Sequence, residues 1–182
     1  QVAFPLSGFT DDEEAKSVEF DGGGWALVSN ANYSAYYPFN YYNRDREAVE
    51  VSYLGQKQIG ENARHIGKYD YMWADSELIG NNSLKFGFKH LGSLLLLRIA
   101  APVGLEELEM TSIEIVSSDE NTFTDVGTFN LDDAVPTISP IKRSSTLTLN
   151  VSDVVLKKDV MTTLYVWTAP VNLNDKDIVV KV

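Results

Sequence analysis

Leu84-Lys85-Phe86-Gly87-Phe88-Lys89-His90-Leu91-Gly92-Ser93-Leu94-Leu95-Leu96-Leu97-Arg98-Ile99-Ala100 is the most apolar stretch of the chain. Its first half alternates large apolar side chains with lysine and glycine, which is the period of a β-strand with one buried face. We therefore expect Leu84, Phe86 and Phe88 to share one core, with Lys85 and Lys89 outside it.

The second half of this stretch is a continuous apolar run, Leu94 to Leu97. Such a run is typical of a strand that is covered on both faces. The break at His90–Ser93 predicts a bulge or a sharp corner between the two halves. A single helix would have to include Gly87 and Gly92, which costs about 2 kcal/mol relative to alanine. The stretch thus predicts the central strands of a sheet.

Short apolar segments separated by turn signals continue along the rest of the chain. Strands are predicted at residues 25–28, 33–39, 49–53, 69–74, 110–117, 123–131, 145–151, 161–168 and 178–182. Residues 55–68 show neither period and predict a long surface loop, with one possible helical turn at 61–64. Because no convincing amphipathic helix is present, the pattern predicts an all-β sandwich of about seven or more mainly antiparallel strands.

Composition limits both size and partners. The 182 residues, 44% of them hydrophobic, suffice for one ordinary core, so we expect a single domain over residues 1–182. The net charge of -11 repels phosphate backbones and argues against nucleic-acid binding. The chain has no cysteine, which excludes disulfides and thiolate metal sites. No signal peptide opens the chain at Gln1, so we expect that any leader has been removed.

The two histidines do not form a recognisable ligand pattern. His90 follows an apolar strand and predicts a hydrogen-bonded structural histidine at a strand corner. His65 lies in a polar segment and predicts a solvated side chain. No metal site and no cofactor site is therefore predicted from either residue.

Three segments are rich in aspartate and asparagine, at residues 119–121, 130–133 and 172–177. Such oxygen-rich loops can hold calcium, but none has the twelve-residue pattern of the common calcium loop. Turn formation explains them equally well, because these side chains hydrogen-bond to nearby backbone. The choice between turns and calcium stays open at this point.

Aromatic residues are dense between positions 25 and 73. Most aromatic side chains of a β protein fill its core, whereas exposed rings can contact sugars or a protein partner. Tyr41 and Tyr42 lie in a polar loop and are the candidates for exposed aromatic contacts. No set of nucleophile, base and orienting residue is recognisable. Carboxylate pairs of a glycosidase are a third hypothesis, although 26 acidic residues produce such pairs by chance.

Three segments, in this order and spacing, resemble the fimbrillin-like proteins, which are fimbrial subunits and related surface lipoproteins of anaerobic oral and gut bacteria. They are Ala35-Tyr36-Tyr37-Pro38-Phe39, Tyr69-Asp70-Tyr71-Met72-Trp73-Ala74, and the segment from Leu84 through Phe88 and His90 to Leu95. A late Ala169-Pro170 before a valine-rich strand also fits. The resemblance runs from about Tyr33 to Val182.

This resemblance implies an N-terminal fimbrillin domain with a β-sandwich of transthyretin-like topology and no enzymatic activity or cofactor. It implies export to the cell surface, attachment to the outer membrane through a lipid anchor, and other fimbrial subunits or a host surface protein or glycan as partners. In polymerising members a protease removes the N-terminal strand, and a strand of the next subunit takes its place. The lipid-bearing cysteine and the second domain of the family are not found in this chain.

The family pattern places a processing site at a basic residue near the N-terminus. Lys16 is the first basic residue of this chain, and the next is Arg44. Lys16 is therefore the candidate processing site, with a removable strand before it; the alternative is an ordinary edge strand followed by a solvated loop. The leading hypothesis is a fimbrial or adhesion subunit, and the alternative is a surface module that binds glycan or host protein without polymerising.

Overall fold

The computed structural model describes residues 31–79 and 83–182, and the side chains of residues 31–76 and 84–182. In this part of the chain it contains thirteen strands and one short 3-10 helix, Arg64–Lys68. The strands are β1 Ser34–Tyr37, β2 Val49–Ser52, β3 Gln56–Ile59, β4 Met72–Ile79, β5 Ser83–Phe86, β6 Lys89–His90, β7 Ser93–Ile99, β8 Glu107–Ser117, β9 Phe123–Phe129, β10 Ser139–Ser144, β11 Thr146–Lys157, β12 Thr162–Thr168 and β13 Ile178–Lys181.

The four-stranded sheet that contains the longest strands has the strand order β13-β8-β11-β3. Its centre is the long antiparallel pair of β8 and β11, in which Ile113 lies opposite Leu149. The edge strand β3 runs parallel to β11, with Gln56 opposite Leu149. Alternating side chains of β8 and β11 point to one face of this sheet, because successive residues of a strand point to opposite faces.

Against this sheet lies a ribbon of two antiparallel strands, β7 and β12. Leu164 and Val166 of β12 are buried in the first cluster of core side chains, whereas Trp167 is buried in the second. The ribbon therefore separates two clusters. The first consists of Met110, Ile113, Ile115, Phe123, Leu147, Leu149, Val151, Val154, Leu156, Leu164 and Val166. The second consists of Val49, Val51, Tyr53, Tyr69, Trp73, Leu91, Phe129, Leu131, Trp167 and Ala169.

Two further sheets complete the second cluster. In one of them β9 pairs with β10 on one side and with β2 on the other. In the other, β4 pairs with β1 and, along its opposite edge, with β5 and β6. These sheets supply Val49, Val51, Trp73 and Phe129 to the second cluster. The fold is nearly all β, with several antiparallel sheets in a sandwich-like arrangement, which confirms the predicted fold class.

The prediction of a loop over residues 55–68 is wrong. Gln56–Ile59 forms strand β3, and Arg64–Lys68 forms the 3-10 helix, slightly later than the expected helical turn. The strand has no apolar alternation because its buried positions are the polar residues Gln56 and Gln58, which are both 0% exposed. The strand predicted at 25–28 lies outside the described residues.

The prediction that Phe88 lies in the core is also wrong. Its side chain is 41% exposed, whereas Leu84 and Phe86 are partly buried, and Lys85 and Lys89 are exposed as expected. The ladder to β4 is interrupted here. The pairs Ser76–Phe86 and Trp73–Lys89 lie in the same register, but Gly87 and Phe88 between them are not paired with β4. Phe88 therefore covers Phe86, with ring centroids 6.4 Å apart, instead of filling the interior.

The run Leu94–Leu97 is not covered on both faces over its whole length. Leu95 and Leu97 pack against the first cluster and Leu94 against the second. Leu96 is 58% exposed, which contradicts the expectation for this residue. The reason is that the second cluster reaches only the beginning of β7, so Leu96 extends beyond it.

Candidate functional site

An exposed aromatic loop, residues 37–44, follows the first strand. Its exposed rings are Tyr37, Phe39, Tyr41 and Tyr42, and the last two are exposed to 64% and 85%. Tyr41 and Tyr42 meet edge to face with centroids 5.8 Å apart, and the Arg44 guanidinium lies 5.0 Å from the Tyr41 ring centroid. Such rings offer flat apolar faces with a hydroxyl at the tip, which suits contact with a sugar or a protein surface.

The aromatic loop is fixed by hydrogen bonds to its neighbours. The buried Asn43 side chain donates to the Glu50 carbonyl at 3.0 Å and accepts from the Glu50 N–H at 3.2 Å. The Asn40 side chain accepts from the Tyr42 N–H at 3.0 Å. The exposure predicted for Tyr41 and Tyr42 is thus observed on an anchored loop, while their role as contacts stays a prediction.

His90 is a hydrogen-bonded histidine at the corner between β6 and β7. Its Nδ1 lies 2.6 Å from an Asp70 carboxylate oxygen, and its ring stacks on Trp167 with centroids 5.8 Å apart. The structural role predicted for His90 agrees with these contacts. The hydrogen bond between His90 and Asp70 joins the end of β6 to the segment before β4.

The prediction that His65 is solvated is wrong. Its Nε2 lies 2.9 Å from the carbonyl oxygen of Tyr165 in β12, and its Nδ1 is buried without a hydrogen-bond partner among the described residues. The polar surroundings in the sequence hid this contact, because Tyr165 is 100 residues away along the chain.

The outer edge of β12 is sealed by side chains instead of by another strand. Gln56 accepts from the Trp167 N–H at 2.8 Å and donates to the Trp167 carbonyl at 2.7 Å. Gln58 accepts from the Tyr165 N–H at 3.0 Å and donates to the Thr163 carbonyl at 3.2 Å. The two primary amides thus satisfy the backbone of β12 as a neighbouring strand would.

This arrangement was not predicted from the sequence, although the sequence contains a signal for it. The pattern Gln-x-Gln of residues 56 and 58 has the strand period in polar residues. Glutamine at two alternate positions carries enough donors and acceptors to bond an edge, but only the fold shows which edge.

The outer edge of β7 is different. Among the described residues β7 pairs with β12 alone, over the seven pairs from Thr162–Ile99 to Thr168–Ser93. Beside this edge lie the half-buried Leu94, Leu95 and Leu97 and the exposed Leu96. An unpaired edge next to apolar side chains is a template for another strand.

The aspartate- and asparagine-rich segments form turns. Side chains of Asp119, Asn130 and Asn172 each accept a hydrogen bond from the N–H two residues later, at 2.9, 2.8 and 3.0 Å. Lys176 pairs with Asp119 and thereby lowers the pKa of that carboxyl, and Arg46 pairs with Asp132. Among the described side chains, those of residues 31–76 and 84–182, no group of three histidine, cysteine, aspartate or glutamate residues could hold a metal ion.

Two buried tyrosines, Tyr53 and Tyr69, belong to the second cluster, and the half-buried Tyr71 packs against it. Burial raises the pKa of all three above the ordinary value. The Tyr71 hydroxyl accepts from the Ser52 N–H and donates to the Ser52 carbonyl, at 2.9 and 3.0 Å. The Tyr53 hydroxyl has no partner among the described residues. These phenols stay neutral at physiological pH and hold the strands together.

Lys16, the predicted processing site, lies outside the described residues. In the described part of the chain no helix has the length and hydropathy of a membrane span. Comparison with protein-family models, with curated proteins and with solved structures gives no match for this chain.

Proposed function

We propose that this chain is a non-enzymatic structural subunit of the cell surface, of the fimbrillin-like kind, that assembles by strand exchange at the outer edge of β7. The observation that carries the proposal is the asymmetry of the β7–β12 ribbon. Glutamine side chains occupy the edge of β12, whereas the edge of β7 is unpaired among the described residues. One edge is thus closed to an incoming strand and the other is suited to accept one.

The removable strand in this proposal is the segment that ends at Lys16. Residues 1–16 begin with a short apolar piece, Val2-Ala3-Phe4, followed by an acidic stretch that is suited to proteolysis. In this proposal, removal of the segment leaves the backbone donors and acceptors at the outer edge of β7, beside its leucines, open to another strand. A strand of the next subunit restores the hydrogen bonds and buries the leucines, which drives assembly.

Limited cleavage with a lysine-specific protease tests the proposal. We expect cleavage after Lys16 to convert a monomer into oligomers on size-exclusion chromatography, in the presence of the downstream domain or partner subunits. A Lys16→Gln variant treated in the same way should stay monomeric. A synthetic peptide of residues 1–16 should suppress the oligomers by refilling the edge. A chain that is cut at Lys16 and stays monomeric contradicts the proposal.

A substitution at the β7 edge separates strand exchange from other modes of association. Leu96 is 58% exposed, so Leu96→Lys places a charge beside the edge without burying it. The matched control is Val135→Lys, at a site that is 70% exposed and outside the strands. We expect the first variant to reduce oligomers after cleavage and the second to leave them unchanged. Equal behaviour of the two variants would show that the edge is not used.

The aromatic loop favours a second function, a surface module that binds glycan or host protein without polymerising. Tyr41 and Tyr42 are highly exposed and their loop is anchored, so their contact faces are already arranged. A glycan array and host-cell adhesion with Tyr41→Ala and Tyr42→Ala test this function. Loss of binding in these variants, together with a monomer after cleavage at Lys16, would favour the binding module over the fimbrial subunit.

A further inference from the structure

A cleft of about 310 Å³ lies where the ladder between β4 and the segment 83–90 is interrupted. Its lining residues are Trp73, Asp75, Ser76, Lys85, Gly87 and Lys89. It is separate from the aromatic loop and from the outer edge of β7. The volume is at the lower end of the range of small-molecule sites, which suits a ligand of one or two rings.

The interruption of the ladder creates the space. The register on either side places Asp75 opposite Gly87, but these two residues are not a ladder pair. A Cβ atom added at Gly87 would meet no atom within 4 Å, so the floor of the cleft is open above this residue. Backbone groups that do not pair in a sheet remain available to a ligand.

The residues that line the cleft include two lysines and one aspartate, and so carry a net charge of +1 in a chain whose net charge is -11. Lys85 and Lys89 flank Gly87, and neither ammonium lies within 4.0 Å of a carboxylate among the side chains of residues 31–76 and 84–182. Glu77 lies opposite Lys85 in the ladder of β4 and β5, where the structure describes its backbone alone. The Lys89 ammonium lies 5.3 Å from the ring centroid of the buried Trp73. This cation–π contact holds one positive charge at the wall of the cleft before any ligand arrives.

The other polar groups define what kind of anion fits. The Asp75 carboxylate, on the same cleft, repels a bare anion but accepts hydrogen bonds from hydroxyl groups. The Ser76 hydroxyl both donates and accepts. We propose that this cleft binds an acidic sugar, with the sugar carboxylate between Lys85 and Lys89 and the ring hydroxyls against Asp75 and Ser76. This proposal does not depend on strand exchange.

Amide spectra of the ¹⁵N-labelled protein, titrated with glucuronic acid, test the proposal. We expect saturable shifts at residues 75–76 and 85–89, with a Kd on the order of 1 mM as expected for a single small ring. Glucose, which lacks the carboxylate, and sodium sulfate, which lacks the ring, serve as matched probes. Equal binding of sulfate or of glucose, or the absence of shifts with glucuronic acid, would overturn the proposal.

Variants then assign the effect to the cleft. We expect Lys85→Gln/Lys89→Gln to weaken glucuronic acid binding about tenfold or more, because both charge-assisted contacts are lost. Lys57→Gln/Lys181→Gln removes the same charge from two other exposed positions and should leave the Kd unchanged. Gly87→Leu should block the cleft without changing the charge, and its spectrum shows whether it folds. Equal weakening by the two lysine pairs would mean that net charge alone acts, and would overturn the proposal.

Discussion

At the scale of single residues, the side chains of Gln56 and Gln58 make hydrogen bonds that the backbone of a neighbouring strand usually makes. Both side chains are fully buried, and each bonds a donor and an acceptor of β12. Buried polar groups are tolerated when their hydrogen bonds are made, and they are costly when a partner is removed. The two amides therefore fix the position of β3 relative to β12 more strictly than apolar side chains of the same size would.

Gln56→Leu should destabilise the protein by about 2–4 kcal/mol, because the N–H and carbonyl of Trp167 stay buried and lose their partner. Urea unfolding of the variant measures this change. Lys57→Ala, at the exposed position between the two glutamines, is the control and should change stability by about 0.5 kcal/mol or less. A Gln56→Leu variant as stable as the control would mean that these hydrogen bonds add nothing net.

Two neighbouring tyrosines should respond in opposite ways to loss of the hydroxyl. Tyr71→Phe removes both hydrogen bonds to Ser52 and should cost about 1–3 kcal/mol. Tyr53→Phe removes a buried hydroxyl without a partner among the described residues, so we expect unchanged or slightly increased stability at neutral pH. Thermal and urea unfolding of both variants check this pair. A large loss in Tyr53→Phe would reveal a partner for that hydroxyl.

At the level of strands and turns, the corner before β7 depends on close approach of the backbone to β12. A Cβ atom at Gly92 would lie 2.8 Å from the Thr168 carbonyl oxygen and 2.9 Å from the Tyr53 hydroxyl. Gly92→Ala should therefore cost about 1–3 kcal/mol through overpacking. Gly87→Ala is the matched control, because that position is open, and it should change stability by about 0.5 kcal/mol or less. Equal effects at the two glycines would contradict the packing at the corner.

Strands with apolar alternation could be predicted from the sequence, and strands with polar or irregular positions could not. Residues 49–53 and 161–168 follow the period and form β2 and β12. β3 was missed because its buried residues are glutamines, and β10 because its residues are nearly all exposed. β11 extends to Lys157, beyond the predicted end at 151, through a register shift near Asp153, whose φ is 58°. A bulge of this kind breaks the period that the prediction relied on.

The candidate site was predictable only in part, for a similar reason. The polar loop around Tyr41 and Tyr42 indicated exposure, and the position of His90 after a strand indicated a hydrogen-bonded corner. The lysine cleft and the outer edge of β7 are defined by which strands are neighbours and by where a ladder stops. These are long-range relations, and the local period of a sequence does not contain them.

For the whole molecule, the buried tyrosines set the alkaline limit of stability. Burial raises the pKa of Tyr53, with smaller contributions from Tyr71 and Asp70, well above that of an unfolded chain. Below about pH 10 the phenol is neutral in both states and stability is fully present. Above that pH the unfolded state loses the proton and the folded state keeps it, so the free energy of unfolding falls as pH rises.

Ionisation of one such tyrosine in the unfolded state lowers the free energy of unfolding by about 1 kcal/mol between pH 10 and pH 11. We expect wild type to lose about this much more than Tyr53→Phe over that interval, in urea unfolding at each pH. Lysine residues also titrate in this range, and comparison of the two proteins removes their contribution. If the free energy of unfolding depends on pH in the same way in wild type and in Tyr53→Phe, burial does not suppress the ionisation of Tyr53.

The glutamine bonds to β12 also have a consequence for the order in which the chain reaches its structure. Gln56 bonds to Trp167, which follows it by 111 residues, and β3 pairs in parallel with β11. As the chain folds, β3 must wait until β11 and β12 are available, with its two amides in water. A topology of such high contact order folds in milliseconds to seconds and not in microseconds. Until β11 and β12 are in place, the unfolded chain is therefore exposed to chaperones and proteases.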